Sequence, residues 1–196
     1  MFETNQGTDN HLQKKQIVQI QPFESVITEG SIVVNPFTIQ GGHVLFTLKD
    51  ATGTISCAAY EPTKEFRNIV RGLHIGDNIE VYGGVREYPL TINLEKFEVK
   101  HLTTLRVKTE NPVCLTCNKH MKSKGTEQGY KCIKCGKTSS NPIIQEKPRT
   151  ITKGFYEVPV CARRHLSKPL KRMNQETRSD IASFSGNQII QHIESS

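Results

Sequence analysis

The residues best suited to chemistry in this sequence are four cysteines in two close pairs. Their spacing is Cys114-x2-Cys117-x14-Cys132-x2-Cys135. Each C-x-x-C pair presents two thiolates from a tight turn, and two such turns complete the tetrahedral shell that Zn²⁺ prefers. Because four protein ligands leave no open coordination position, the spacing predicts one structural zinc ion per chain rather than a catalytic one. The alternative, a redox C-x-x-C, needs only one pair in a thioredoxin-like setting.

The positive charge of the chain is concentrated in one segment. The whole chain carries a formal net charge of +7. Residues 111–175 hold 14 Lys/Arg against 3 Asp/Glu, whereas residues 1–110 hold 11 against 13 and residues 176–196 hold 1 against 3. A segment this basic is the electrostatic footprint of a site for a polyanion, most commonly a nucleic acid. A charged surface that serves only solubility is the alternative.

Two groups of basic side chains supply this charge. Lysines surround the cysteines, and we expect these point charges to position a nucleic acid rather than read its bases. They are Lys119, Lys122, Lys124, Lys131, Lys134 and Lys137. The second group lies in the run VPVCARRHLSKPLKR, where arginine suits bidentate phosphate recognition and the histidine suits phosphate contact or base stacking. Its members are Arg163, Arg164, His165, Lys168, Lys171 and Arg172. A solvated stretch without a ligand is the alternative.

The elements ahead of the cysteines are predicted to be strands with one helix. Residues 62–71 are typical of a helix, because Pro62 suits the first turn and the apolar residues share one face. Alternating apolar residues between Gly and Asp turns predict strands at residues 25–40, 43–49, 54–60, 78–86 and 90–99. A helix between the third and fourth strands of a five-stranded barrel is the order of the OB-fold. A generic small barrel is the alternative.

The sequence therefore predicts a mainly β protein, with a five-stranded OB-fold barrel and one helix, then a four-cysteine zinc ribbon and a basic irregular tail. No apolar run reaches the length of a membrane span, and the N-terminus has no secretory h-region, so we expect a cytoplasmic protein without membrane contact. The predicted boundaries are a flexible leader at 1–24, with a possible edge strand at 16–21, the barrel at 25–108, the ribbon at 109–140, the basic segment at 141–172, and a weak helix or disordered tail at 173–196.

Aromatic residues of the barrel are the candidates for contacting bases. OB-folds bind single strands across their second and third strands, where aromatic rings stack on bases. Phe46 and Tyr60 fall in those two predicted strands, and Tyr82 falls in the fourth. Each is also a reasonable core residue, and the near-neutral charge of the barrel argues against strong binding by the barrel alone.

Three motifs resemble one known family, the archaeal isoleucine-tRNA 2-agmatinylcytidine synthetases (TiaS). The stretch IQGGHVLFTLKDATGTISCAAYEPTKEFRNIVRGLHIGDNIEVYGGVR, followed by PLTINLEKFEV, is similar to the OB-fold of that family. NPVCLTCNKHMKSKGTEQGYKCIKCGK is similar to its zinc ribbon, and YEVPVCARRHLSKPL to the segment that follows. The resemblance covers about residues 25–172, with the three motifs in the order of the family.

This resemblance implies a role in tRNA modification. The family uses ATP to join agmatine to the 2-position of the wobble cytidine of a minor isoleucine tRNA. Its kinase-like and ferredoxin-like domains precede the OB-fold, whereas only about 24 residues precede the predicted barrel here. We therefore expect a tRNA-binding half of such an enzyme, whose partners are a minor isoleucine tRNA and a kinase-like catalytic part, in the same polypeptide or as a separate subunit.

Three other functions remain open at this point. A general single-stranded-DNA-binding protein of the replication type also pairs OB-folds with zinc ribbons, but it would favour a basic, aromatic-rich barrel face. An enzyme active in its own right would need catalytic residues, and the sequence shows neither a Walker loop nor a nucleophile elbow nor convincingly paired carboxylates. A purely structural or protein-interaction module would bind no nucleic acid.

Overall fold

The computed structural model describes residues 6–126 and 128–173, which form two compact units. The barrel unit comprises residues 6–103 and 150–173, and the ribbon unit comprises residues 104–149. Except for residue 173, the tail predicted at 173–196 lies outside the described residues. None of the described helices is long and apolar enough to span a bilayer.

The barrel unit contains seven strands, one α-helix and four short 3-10 helices among the described residues. The strands are β1 (Gln13–Lys14), β2 (Ser25–Thr38), β3 (Val44–Lys49), β4 (Thr54–Ala59), β5 (Asn78–Arg86), β6 (Thr91–His101) and β12 (Gly154–Glu157). The α-helix is α1 (Phe66–Arg71), and the 3-10 helices are Ile17–Gln19, Glu61–Thr63, Val160–Ala162 and Leu170–Arg172.

Five of these strands close into a barrel. β2 pairs with β3 on one side and β5 on the other, both antiparallel, and β3 pairs with β4. β4 pairs in parallel with β6, and the antiparallel pairing of β5 with β6 completes the ring. Since α1 lies between β4 and β5, the predicted five-stranded OB-fold with one helix is confirmed.

The alternating sequence of the strands produces the core. On β3 the buried residues Val44, Phe46 and Leu48 alternate with residues that remain partly exposed. The long first barrel strand, β2, has register shifts on either side of Val34, next to Pro36, which cannot donate a ladder hydrogen bond. Gly83 of β5 is a point of close approach, because a Cβ there would lie 2.1 Å from the Asn93 carbonyl oxygen of β6. Only glycine fits there.

The flexible leader predicted at 1–24 is wrong for the residues described. β1 pairs in parallel with β2, and Ile17 and Ile20 are buried in the barrel core. The edge strand predicted at 16–21 is instead the 3-10 helix Ile17–Gln19, because a spacing of three residues places both isoleucines on the same side of one turn. Nearby, the Asp50 carboxylate accepts a 2.8 Å hydrogen bond from the Ile17 amide.

The segment predicted as irregular at 141–172 is divided between the two units and is partly regular. In the ribbon unit, β11 (Ile143–Lys147) pairs antiparallel with β7 (Leu105–Glu110). In the barrel unit, β12 pairs with β6 and buries Phe155 and Tyr156. Only residues 159–173, which we call the strap, follow the barrel surface mainly as turns and short 3-10 helices.

The cysteines lie in a small sheet of the ribbon unit. Its three short antiparallel strands are β8 (Lys122–Ser123), β9 (Tyr130–Lys131) and β10 (Thr138–Ser139), with β9 in the centre. An isolated bridge between Val113 and His120 closes the first cysteine turn. Strands this short and few are not independently stable, so another interaction must hold this sheet together.

Candidate metal centre and nucleic-acid interface

The four predicted cysteines converge on one point. Their sulfur atoms all lie within 4.8 Å of one another, and Cys114 Sγ and Cys135 Sγ are 3.5 Å apart. Cys114 and Cys132 are buried, Cys117 is half-buried and Cys135 is exposed. Four sulfurs at this spacing fit a single tetrahedral metal ion.

Local backbone geometry brings each pair of cysteines into place. The Asn118 amide donates to the Cys114 carbonyl at 2.8 Å, and the Gly136 amide donates to the Cys132 carbonyl at 2.9 Å. Both donors are in the left-handed region, with φ of 50° for Asn118 and 76° for Gly136. Asparagine and glycine are the residues that adopt this conformation most readily. The two turns therefore have the same hydrogen bond and the same positive φ. Each is shaped by a residue directly after its second cysteine.

The electrostatics of the cluster favour thiolates and therefore a cation. Backbone hydrogen bonds from Thr116 and Cys117 lower the pKa of the Cys114 thiol to about 6. The Cys135 backbone amide likewise lowers the pKa of Cys132. Hydrogen bonding to Cys135 raises the pKa of Cys117, because neighbouring sulfurs cannot all be negative without a positive charge among them. A metal ion bound among the four sulfurs would supply that charge, since metal coordination deprotonates thiols outright.

The ribbon unit has only a minimal core around the cysteines. The buried residues of that cluster are Cys114, Met121, Tyr130 and Cys132. The Lys108 ammonium lies 4.7 Å from the centroid of the Tyr130 ring, within the range of a cation–π contact. So small a cluster buries little apolar surface.

The ribbon unit carries the whole net charge of the chain. Residues 104–149 hold ten Lys/Arg and three Asp/Glu, whereas the rest of the chain holds sixteen of each. The lysines predicted to contact nucleic acid here are all exposed. They are Lys119, Lys122, Lys124, Lys131 and Lys134. Exposed ammonium groups on a unit with few carboxylates are free to neutralise phosphates.

The basic residues predicted in the strap fall into two groups. Arg163 lies 3.6 Å from a Glu157 carboxylate oxygen, and Arg164 donates a 2.9 Å hydrogen bond to Glu95. A Cβ on Gly84 would lie 2.8 Å from the Arg164 guanidinium, so the glycine makes room for this contact. Both arginines therefore anchor the strap to the barrel unit. The other predicted residues are His165, Lys171 and Arg172, which are exposed, and Lys168, which is half-buried.

The structure separates the two predicted stacking residues. Phe46 is fully buried in the barrel core, so its prediction as a base-stacking residue is wrong: its position on β3 faces inward. Tyr82 is also buried, and its hydroxyl donates to Glu80. Tyr60 is half-buried at the end of β4, with its ring 5.1 Å from that of His43 in an edge-on arrangement.

Two residues that the sequence prediction does not include lie near this end of the barrel. Arg86 lies 3.5 Å from the Tyr60 hydroxyl, and Tyr88, which follows in the loop between β5 and β6, is 86% exposed. In OB-folds the loop between the fourth and fifth barrel strands contacts the ligand. The sequence offers one signal for Tyr88, its place between the predicted strands at 78–86 and 90–99. An aromatic residue in such a loop has no core to pack into, so it is a candidate for contacting a ligand.

Known families and proteins match both units. Residues 111–151 match the family described as the TiaS C-terminal zinc ribbon domain, and residues 25–102 match an OB-fold nucleic acid binding domain. A relative from Methanocaldococcus jannaschii, the tRNA 2-agmatinylcytidine synthetase TiaS, is 51% identical over 173 residues, which are 87% of this chain and 40% of the relative. The chain corresponds to the OB-fold and zinc-ribbon region of TiaS. The TiaS protein of Archaeoglobus fulgidus is 42% identical over 91% of this chain and 42% of its own length.

Solved TiaS structures agree with this correspondence. The structure of TiaS in complex with an isoleucine tRNA and ATP matches with a TM-score of 0.74 and 41% identity, over 89% of this chain and 40% of the TiaS chain. The structure of apo TiaS matches with a TM-score of 0.70 and 43% identity, over 88% and 41% of the two chains. The chain thus spans about two fifths of the length of the TiaS proteins that it matches.

Proposed function

We propose that this chain binds tRNA and serves the TiaS reaction, in which agmatine is joined to the wobble cytidine of a minor isoleucine tRNA in the cytoplasm. The observation that carries this proposal is the match of 89% of the chain to a TiaS protein in complex with an isoleucine tRNA. The concentration of positive charge in the ribbon unit supports the proposal independently, because a polyanion binds to clustered Lys and Arg side chains that neutralise its phosphates.

The metal of the ribbon unit is proposed to be one structural Zn²⁺ per chain, held by Cys114, Cys117, Cys132 and Cys135. Four thiolates are the donor set of structural zinc sites, and they leave no position for substrate. The role of the ion is to fold the ribbon and thereby fix the exposed lysines around it.

Affinity and selectivity are proposed to come from different residues. The ribbon lysines, together with His165, Lys168, Lys171 and Arg172 of the strap, neutralise phosphates and supply most of the affinity. Tyr60 and Tyr88 of the barrel stack on unpaired bases, which every base allows through its π-face. The anchored arginines, Arg163 and Arg164, contribute through the strap rather than by direct phosphate contact.

The ATP-dependent chemistry is proposed to need the kinase-like catalytic part of TiaS, either in the same polypeptide or as a separate subunit. Buried carboxylates of the described residues form ion pairs within the fold. Glu95 pairs with Arg164, and Glu80 pairs with Lys14. The contribution of this chain is therefore to hold the tRNA while the catalytic part acts on the cytidine.

A binding comparison tests this proposal. The purified chain is titrated with an isoleucine tRNA transcript carrying a CAU anticodon and with single-stranded DNA of equal length, across a range of salt concentrations. We expect tighter binding of the tRNA at every salt concentration, with an affinity that falls steeply as salt rises. Equal affinity for both would favour a general single-strand-binding protein, and no binding at low salt would favour a protein-interaction module.

A further inference from the structure

A bulge in β6 places two consecutive charged residues on the outside of the barrel. Tyr82 of β5 is opposite Lys96, and the next residue, Gly83, is opposite Leu94, so Glu95 is the extra residue. Leu94 and Phe97 both belong to the core, and Glu95 and Lys96 lie between them. Bulges of this kind redirect side chains at the edges of barrels. The bulge allows both Glu95 and Lys96 to anchor segments that cross the barrel surface.

The ammonium group of Lys96 is completely buried beneath those segments. The side chain has 0% exposure, and its Nζ makes an ion pair with Asp9, which lies in the N-terminal segment ahead of β1. Nζ also donates a 2.9 Å hydrogen bond to the Lys168 carbonyl of the strap and lies 5.5 Å from the Tyr82 ring centroid. One buried charge thus joins the barrel, the N-terminal segment and the strap.

Asp9 completes the connection from the other side. Its second carboxylate oxygen accepts a 2.6 Å hydrogen bond from the Lys168 amide, so the carboxylate bridges Lys96 and the strap. The backbone continues the contact: the Asp9 amide donates to the Leu166 carbonyl at 3.1 Å and the Gly7 amide donates to the His165 carbonyl at 2.8 Å. These bonds fix the backbone at the exposed His165 and directly after it.

We propose that Lys96 and Asp9 are positioning residues for tRNA binding: their ion pair fixes the strap so that His165, Lys171 and Arg172 form a preorganised phosphate-binding surface. This inference rests on the proposed function. A basic loop that is already ordered loses less conformational entropy on binding than a free one, and so binds more tightly with the same charges. Neither Lys96 nor Asp9 needs to touch the RNA, since both act through the strap.

The energetics of burial explain why this pair controls the strap. A buried ammonium without its carboxylate is strongly destabilising, and so is the reverse. Replacing either residue is therefore expected to release the part of the strap that follows Arg164, together with the chain around Asp9, from the barrel. The barrel itself is held by its apolar core, in which neither residue takes part.

The test uses Lys96→Met in the full chain, with Lys100→Met as the matched control. Lys100 lies on the same strand and its removal costs the same charge, but its carboxylate partners are Glu98 and Glu80 of the barrel. We expect Lys96→Met to weaken binding of the isoleucine tRNA about tenfold and to reduce the slope of log affinity against log salt by about 2, the contribution of two or three phosphate contacts. Lys100→Met is expected to change affinity less than about twofold, as for an exposed charge remote from the ligand.

A double-mutant cycle separates positioning from general destabilisation. In a background with His165→Gln, Lys171→Gln and Arg172→Gln, Lys96→Met is expected to have no further effect on affinity, because all three residues that it positions are gone. Asp9→Ala, which lies outside the barrel strands, is expected to behave like Lys96→Met and replaces it if that variant does not fold. An equal loss in both backgrounds, or an unchanged salt slope, would overturn the proposal.

Amide hydrogen exchange reports on the strap without any ligand. In Lys96→Met the amides of Gly7 and Lys168 are expected to lose protection while core amides such as that of Phe46 retain it. Retained protection at Gly7 and Lys168 would refute the positioning role. If Gly7 and Lys168 are protected in the wild-type chain and lose protection in Lys96→Met, but the wild-type chain binds no tRNA, the proposed function fails while the anchoring of the strap stands.

Discussion

The barrel unit and the ribbon unit differ in what holds them together and in the charge they carry. In the barrel unit, one continuous cluster of buried apolar residues runs from Ile17 to Val158. In the ribbon unit the corresponding cluster has four buried members, and two of them are the cysteines Cys114 and Cys132. The ribbon unit nevertheless carries the entire net charge. The proposed metal, rather than apolar packing, would fold the ribbon and so leave most of its surface for basic side chains.

The largest effect is expected from removing one ligand of the proposed zinc. Cys132→Ser replaces a buried sulfur that accepts backbone hydrogen bonds and faces the other three. We expect zinc affinity to fall more than about a hundredfold, beyond the loss of an outer-shell partner, and the ribbon to unfold, since structural zinc contributes about 10–16 kcal/mol to such units. Zinc content by elemental analysis and amide exchange of β9 measure the result.

A matched cysteine variant gives the control for this prediction. Cys161 is an exposed free cysteine of the strap, and Cys161→Ser is expected to leave zinc content and ribbon exchange unchanged. The barrel amides should stay protected in both variants. If Cys132→Ser kept one zinc per chain and a folded ribbon, the ligand assignment would be wrong; if its barrel unfolded, the two units would share their stability.

The next largest effect is expected in the barrel core, where Phe46→Ala removes a fully buried ring. We expect the free energy of unfolding to fall by about 3–5 kcal/mol, as for other buried aromatic truncations, with zinc content unchanged. Tyr60→Ala is the contrasting variant: a loss of tRNA affinity of about 1–3 kcal/mol per stacked base and a smaller loss of stability are expected. Urea unfolding measures the loss of stability, and tRNA titration measures the loss of affinity. A larger loss of stability in Tyr60→Ala and a larger loss of affinity in Phe46→Ala would contradict both assignments.

A smaller effect, on affinity alone, is expected from neutralising the ribbon. In Lys122→Gln, Lys131→Gln and Lys134→Gln combined, three exposed charges are lost from the ribbon surface. We expect tRNA affinity to fall about a hundredfold at low salt and the salt slope to fall by about 2 to 3. The control removes three exposed lysines of the barrel unit, Lys49, Lys64 and Lys153, and should weaken binding less than about tenfold. Equal losses would mean that net charge matters and its location does not.

The sequence predicts well the features that short-range patterns determine. The fourth barrel strand is predicted at 78–86 and observed at Asn78–Arg86, because alternating apolar residues mark it and the Gly76-Asp77 turn precedes it. The cysteine spacing likewise predicts the convergence of four sulfurs, since each turn is shaped by neighbouring residues. Alternation places Phe46 with Val44 and Leu48 on one apolar face, so the same pattern favours its burial over base stacking.

The sequence predicts poorly the features that depend on distant polar partners. The predictions of a flexible N-terminal segment and an irregular strap follow from the lack of apolar periodicity in both. Their order comes from Lys96 with Asp9 and from Arg164 with Glu95, pairs that lie 87 and 69 residues apart along the chain. The bulge at Glu95 shifts the alternation of apolar residues between Leu94 and Phe97, but this shift does not indicate which distant segments the two charges hold. A single polar residue in a strand predicts a surface position, whether it anchors another segment or not.

The smallest effect is expected where the N-terminal segment meets the barrel, at Asp50. Partial burial acts to raise the pKa of its carboxyl, but hydrogen bonds from Ile17, Thr52 and Gly53 outweigh burial and hold the pKa below its usual value. A depressed pKa contributes stability that is present above the unfolded-state pKa of about 3.9 and is lost as pH falls through the lower folded-state value. Asp50→Asn is therefore expected to cost about 1 kcal/mol at pH 7 and progressively less below about pH 4.

The measurement is urea unfolding of both proteins at pH 7 and at pH 3, followed by NMR signals of barrel amides so that loss of metal from the ribbon does not contribute. Glu87→Gln, an exposed acid in the loop between β5 and β6, is the matched control and should change stability little at either pH. An equal cost of Asp50→Asn at both pH values would mean that the shape of the side chain, rather than its charge, holds Ile17 against the barrel. A cost that is smaller at pH 3 than at pH 7 would show that the charge of Asp50 stabilises the packing of the N-terminal segment on the barrel.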